Sequence, residues 1–211
     1  MKSNSILFFF IFFACNIIYF SLNGQVIVYP KIDGLSTSEI YSVNVNGQTV
    51  WTEKFVSNLD LNNLPDWFND PAVRQPQELH MANFNGNGKL SVKIKVKETP
   101  CNLKIRPANL KIKPVIKGKQ IYFTWDGPGQ LIVEMDGMPP LFLFANPEEK
   151  AMPSVGDSRI KYFGPGIHRS GYIDIKDNET VYIAAGAVVY GGIRAKEASN
   201  IRVMGRGILD G

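Results

Sequence analysis

Apolar residues in this chain recur at every second position, in short runs broken by Gly, Pro and Asn, while helical spacing is almost absent. Alternation at period two is what a strand with one buried face demands, because successive side chains point to opposite sides of the pleat. Residues 41–45 alternate and end in Asn46-Gly47, after which residues 48–51 resume the run. Asn-Gly accepts positive φ at both central positions of a tight turn, so the pair predicts a β-hairpin. Leu90, Val92, Ile94 and Val96 make one apolar face, with Lys93, Lys95 and Lys97 interleaved on the solvated side. Leu103 and Ile105, Leu110 and Ile112, then Ile121, Phe123 and Trp125 continue the series, with Lys111 and Lys113 read as a second solvated face. Residues 131–134 and 141–144 complete it, punctuated by Asp136-Gly137 and Pro139-Pro140. Many short strands at about ten-residue spacing, without helices, predict an antiparallel β-sandwich over residues 25–145.

Residues 60–80 interrupt this texture. They hold Pro65, Trp67, Phe68, Pro71 and Pro76 with little alternation, which predicts a long loop with one helical turn. Its aromatic rings suit two roles, anchoring the loop onto the sandwich or stacking on sugar faces.

A second change begins at Asn146. Residues 146–170 read as a junction that packs firmly, since disordered linkers seldom carry a pair such as Tyr162-Phe163. Beyond it come short strands at 172–175, 181–183, 188–190, Ile193 and 201–203. Ala184-Ala185-Gly186-Ala187, Gly191-Gly192 and Gly205-Arg206-Gly207 fill the intervals and read as corners. The pairs Val181/Ile183 and Ile201/Val203 lie 20 residues apart. A parallel solenoid needs such a repeat, because each coil must bend tightly and shares its core with the next.

The tail carries a resemblance. Val181-Tyr182-Ile183-Ala184-Ala185-Gly186, and Gly205-Arg206-Gly207-Ile208-Leu209-Asp210-Gly211 after it, resemble the first coils of β-helical glycoside hydrolases. That group contains the polygalacturonase-like enzymes and the dextranase and isopullulanase enzymes. Its dextranase-like members also place an antiparallel β-sandwich before the β-helix, and residues 141–147 and 162–168 are similar to their junction. The resemblance covers about residues 140–211. It implies an all-β chain: an antiparallel β-sandwich followed by the first coils of a right-handed, single-stranded parallel β-helix over residues 171–211. It also implies hydrolysis of a polysaccharide, pectin-like or an α-glucan, by paired or tripled aspartates. In an inverting enzyme one carboxylic acid protonates the leaving oxygen while a carboxylate about 6.5–9.5 Å away activates water. In these families the aspartates stand several coils into the helix. No position here matches them, so the resemblance assigns this chain no catalytic residue. The expectation is an N-terminal part of a secreted glycoside hydrolase, inactive alone. A stand-alone carbohydrate-binding or structural module is the alternative.

The N-terminus predicts export. Lys2 precedes an apolar run over residues 6–20, followed by Ser21, Asn23 and Gly24, the order of a secretory signal peptide. The run is shorter than the roughly 20 residues that span a bilayer. Cleavage after Gly24 would leave Gln25 first, and no membrane association after cleavage. Cys15 is poorly set for lipid attachment, because the apolar run continues past it. Cys101 then remains alone, so no intrachain disulfide forms, and a secreted or periplasmic bacterial location fits. Formal net charge is +4 with basic residues scattered, which points away from nucleic acid.

Local candidates favour structure over chemistry. Asp210 lies in a turn where Asp bonds neighbouring amides. Asp174 and Asp177 flank Ile175 at a strand end and suit solvent exposure. His80 and His168 lack partners at ligand spacing, so neither a metal nor another cofactor is expected. Gly205-x-Gly207 has no helix after it to make a dinucleotide loop. The sequon Asn178-Glu179-Thr180 reads as chance, and no Ser-His-Asp arrangement or Gly-x-Ser-x-Gly elbow occurs.

Overall fold

The computed structural model describes residues 24–57, 77–150, 152–154 and 156–211. The apolar run of residues 6–20, read above as a signal peptide, and the loop aromatics Trp67 and Phe68 lie outside the described residues.

The chain is all-β, in several sheets. A five-stranded sheet runs in the order β3 (Gln48–Val50), β2 (Tyr41–Val45), β6 (Gly88–Val96), β9 (Gln120–Gly127) and β8 (Val115–Lys117). Every pairing in it is antiparallel. Asn46 and Gly47 take φ of 49° and 84° at the β2–β3 turn, as the Asn-Gly pair requires. Leu90, Val92, Ile94 and Val96 are buried while Lys89, Lys93 and Lys95 are exposed, so one face of β6 is core and the other solvent.

A six-stranded sheet runs β1 (Val26–Val28), β5 (Gln77–Gly86), β11 (Met138–Asn146), β10 (Gly129–Met135) and β7 (Lys104–Arg106), with β4 (Thr52–Ser57) also paired to β5. Its pairings are antiparallel except β11 with β5, which is parallel. One hydrophobic cluster draws on both sheets, with Val43, Ile94 and Ile121 from one and Phe84, Leu131, Val133, Leu141 and Leu143 from the other. Removing a side chain of this kind from water contributes about 1.5–3 kcal/mol.

Several sequence expectations are corrected here. Leu110 and Ile112 form no strand: residues Ala108–Leu110 make a 3-10 turn closed by Lys111 at φ 50°. Leu110 is left 47% exposed, so alternation there reflects a surface turn bracketed by Pro107 and Pro114. Pro139 and Pro140 lie inside β11 rather than ending a run. Residues 77–80 belong to β5, not to the long loop. The polar run Asn83-Phe84-Asn85-Gly86 hides this strand, because Asn and Gly ordinarily mark turns.

After Asn146 the pairing becomes parallel. Strands β12 (Ile160–Phe163), β14 (Thr180–Ile183) and β16 (Arg202–Gly205) form one three-stranded sheet. Strands β13 (Gly166–Ile175), β15 (Ala187–Ala195) and β17 (Ile208–Asp210) form another. Parallel pairing thus starts at Ile160, within the stretch read as junction. Ile173, Ile175, Val181, Ile183, Ala187 and Val189 close a second core between these sheets. The expected partner of Val181 is corrected by two residues: Val181 pairs with Val203, not Ile201. The segment before β16 is longer, with Glu197 and Asn200 at φ 51° and 54°. Asn200 Nδ2 donates to Asn178 Oδ1 at 2.7 Å, stacking two turns that both use positive φ at asparagine.

The glycine pairs mark close approach. Gly191-Gly192 is no corner but lies within β15, where a Cβ on Gly191 would stand 2.0 Å from the Gly171 carbonyl oxygen. A Cβ on Gly205 would stand 1.9 Å from the Ile183 oxygen, which accepts the amides of Arg206 and Gly207 at 2.9 Å each.

If the first core joins the two large sheets, Leu143→Ala should cost about 2–5 kcal/mol in denaturant unfolding. Tyr172→Ala, at a side chain 72% exposed, should cost well under 1 kcal/mol (~0.5) by the same measurement.

Candidate functional site

The six-stranded sheet half-buries part of its second face as well. Met81, Asn83 and Asn85 alternate with the core residues of β5, and Phe142, Phe144 and Asn146 do the same on the neighbouring β11. Against this face lies the parallel unit, and polar groups join them. Asn83 Nδ2 donates to the Arg206 carbonyl at 3.1 Å, and Asn146 Nδ2 donates to Asn83 Oδ1 at 2.6 Å. Arg206 Nη2 donates to the Pro147 carbonyl at 3.0 Å. Tyr29 donates its hydroxyl proton to Asn85 Oδ1, and Tyr182, stacked on Tyr162, donates to Glu149 Oε2 at 2.9 Å.

Two buried atoms at this junction have no partner, Glu53 Oε2 and Arg206 Nε. Both residues line one small pocket of about 20 Å³, with Tyr29, Trp51 and Asn83. That volume has room for about one water molecule. On its other side Glu53 borders an open cleft of about 320 Å³, shared with Ser36, Phe55, Val188, Tyr190 and Asp210. Burial pushes the Glu53 carboxyl up to about 7, and the negative charge of Asp210 adds to the effect.

The residues singled out from sequence are dispersed. Asp210 is the one brought to this junction. Asp174 accepts Arg194 Nε at 2.6 Å and Nη2 at 2.9 Å, and the guanidinium holds its carboxyl below the usual range. Asp177 Oδ1 accepts the Ser199 amide at 2.5 Å. His80 is wholly buried in the first core, edge-on to Tyr41 at 5.1 Å, with Nε2 bonded to Glu78 Oε1 at 3.1 Å. Burial lowers its pKa, so the ring is neutral near pH 7. His168 Nε2 donates to the Gly164 carbonyl at 2.7 Å. Among the described residues no three His, Cys, Asp or Glu gather to hold a metal, and no helix is long and apolar enough to cross a membrane.

Glu53 escaped the sequence reading. It sits at an outward position of an alternating run beside Lys54, the signature of a solvated residue, and strands some 150 positions later cover it. A carboxyl kept protonated by burial is the state a general acid needs. Glu53 is only 5% exposed, so a glycosidic oxygen cannot reach it while sheet and coil are docked.

A second opening lies farther along the same sheet face. A cleft of about 940 Å³ is bounded by Arg106, Gln130, Ile132, Phe142 and Phe144. The two phenylalanine rings are 6.3 Å apart and within 9° of parallel.

No family model matches the chain, and no curated protein matches it. Among solved structures it is similar to Dex49A from Penicillium minioluteum, with a TM-score of 0.60 and 16% identity. The match covers 87% of this chain and 47% of that one, so the chain spans about half the length of that structure.

The raised Glu53 carboxyl predicts a pH dependence. The folded state holds this proton above the ordinary carboxylate range, so its stabilisation is complete below about pH 4.5 and lost as pH rises through about 7. The loss amounts to about 3 kcal/mol at most. Glu53→Gln keeps the shape of the protonated form. It should therefore be more stable than the parent at pH 8, with the advantage vanishing near pH 4.5 in paired thermal melts.

The Dex49A likeness, at this level of identity, is a likeness of fold.

Proposed function

We propose that this chain is the scaffold part of a secreted glycoside hydrolase acting on a polysaccharide. In this reading the two large sheets form an antiparallel β-sandwich. The parallel sheets form the first coils of a right-handed β-helix, and the catalytic aspartates stand on coils beyond these residues. The observation that carries it is the pair of parallel ladders stacked at repeats of 20 to 22 residues on the outer face of the six-stranded sheet. The likeness to Dex49A over 87% of the chain supports it, and so does the resemblance of residues 140–211 to the dextranase-like enzymes. Fold alone does not assign chemistry. The absence of matching aspartates in residues 140–211 is why catalysis is placed elsewhere. Export, to the periplasm or medium of a bacterium, rests on Lys2 and the apolar run of residues 6–20.

The alternative, a glycan-binding module without catalysis, is favoured by one feature. The 940 Å³ cleft sets two near-parallel phenylalanine rings beside Arg106 and Gln130, an apolar floor with hydroxyl-bonding edges.

The two readings part in a pair of measurements. Residues 25–211 should release no reducing sugar from dextran, pullulan or polygalacturonate, whereas a polypeptide carrying further coils after Gly211 should release it. Calorimetric titration of residues 25–211 with the same polymers should show no binding heat under the first reading. A saturable heat abolished by Phe142→Ala would establish the second, and hydrolysis by residues 25–211 alone would overturn both.

A further inference from the structure

The outer face of the five-stranded sheet carries cations without acids. Residues opposed across antiparallel strands share a face, so the register sets Ser42, Lys95, Gln120 and Lys117 in one row across four strands. Asn44, Lys93, Tyr122 and Val115 make the next row. The Nζ atoms of Lys93 and Lys117 stand 5.8 and 5.9 Å from the centre of the Tyr122 ring, so two ammonium groups gather at one aromatic side chain. Tyr122 donates its hydroxyl proton to Gln120 Oε1, which ties the ring to the first row. Elsewhere strand cations meet acids on the neighbouring strand: Arg106 with Glu134 and Arg194 with Asp174 at 2.6 Å, Lys54 with Glu78 at 2.7 Å. Among the described residues Lys93, Lys95 and Lys117 form no ion pair. Like charges gathered on one face repel one another, and an arriving anion relieves that repulsion.

We propose that this face binds an acidic polysaccharide built of uronate sugars, with Lys93, Lys95 and Lys117 on its carboxylates and Ser42, Asn44 and Gln120 on its hydroxyls. A sheet face is open and shallow, and gives most to a ligand whose charges repeat along a polymer. Lys93 and Lys95 repeat at about 7 Å along β6, the two-residue rise of a strand. Each uronate unit carries a carboxylate and several hydroxyls, which answers the mixture of ammonium, amide and hydroxyl groups in the two rows. A lipid surface asks instead for apolar side chains that enter the acyl boundary, and Val115 is the one exposed large apolar residue of this face among the described residues. The choice of a sugar polymer rests on the reading of the chain as an exported, polysaccharide-acting protein. The face lies across the first core from the cleft of Phe142 and Phe144, so it is an independent place of attachment.

The test is calorimetric titration of residues 25–211 with sodium alginate, a uronate polymer outside the set used for hydrolysis, at low ionic strength. Saturable binding is expected, absent with the fully esterified polymer, which keeps the sugars and loses the charge. In about 1 M sodium chloride, where the Debye length is about 3 Å, the face falls silent and calorimetry reads the aromatic cleft alone. Lys93→Gln combined with Lys117→Gln should weaken binding by about fivefold or more, as the loss of two exposed charge contacts does. Removing the same charge elsewhere, by Lys150→Gln with Lys196→Gln, should leave it unchanged, and so should Phe142→Ala. All four lysines are exposed, and coincident thermal melts check that each variant is folded. The proposal is overturned by no binding at low salt, by equal binding of the esterified polymer, or by equal losses in the two lysine pairs. Tighter binding through Lys93 and Lys117 to phosphatidylglycerol vesicles or to a single-stranded oligonucleotide overturns it too. Hydrolysis by a polypeptide with further coils does not depend on these lysines, so the scaffold reading and this one fail separately.

Discussion

The structure depends on one sheet that is covered on one face by a second sheet and in part on the other by the parallel unit. The six-stranded sheet gives Phe84, Leu131, Leu141 and Leu143 to the core it shares with the five-stranded sheet, and offers Glu53, Asn83, Phe144 and Asn146 to the parallel unit. A strand buried on one face only can carry any polar residue on the other, because water satisfies it. A strand covered on both cannot, and each covered polar group must find a partner within the protein. The asparagines of β5 and β11 do so with one another and with the Arg206 and Tyr29 groups. Glu53 does not, and that exception concentrates the electrostatic consequences of the fold at one place.

The parallel unit obeys a different constraint. Its strands stack on their own repeats, so identical backbone conformations must recur one above another. Where coils approach most closely the side chain has to vanish, as at Gly191 over Gly171 and Gly205 over Ile183. Where turns recur, asparagine supplies both the positive φ and the hydrogen bond that links one turn to the next, as at Asn178 and Asn200. Charge follows the same stacking, since paired positions in adjacent strands carry Asp174 and Arg194. Such exposed pairs add little stability, about 0–1 kcal/mol, and serve mainly to favour one register over its neighbours.

Much of this was legible before the fold was known, and the failures have common causes. β6 could be read residue by residue, because one face is core and the other solvent. The β2–β3 turn could be read because Asn-Gly has few alternatives. β5 could not, because its outward face is polar yet covered, and Asn83, Asn85 and Gly86 look like loop residues. The register of Val181 was off by two, because the segment carrying Glu197 and Asn200 is longer than its counterpart, and periodicity alone does not reveal unequal turns.

Sequence alone therefore determined the all-β character, the change from antiparallel to parallel texture after residue 146, and the need for small residues in the tail. Those are local properties, set by the period of the pleat and the steric limits on φ. Tertiary structure alone decided which exposed-looking residues are buried, which of several acids meet, and that Glu53 and Asp210 share a cleft. These residues stand 157 positions apart. Their proximity comes from docking a coil onto the second face of a sheet, and no local pattern encodes which face will be covered.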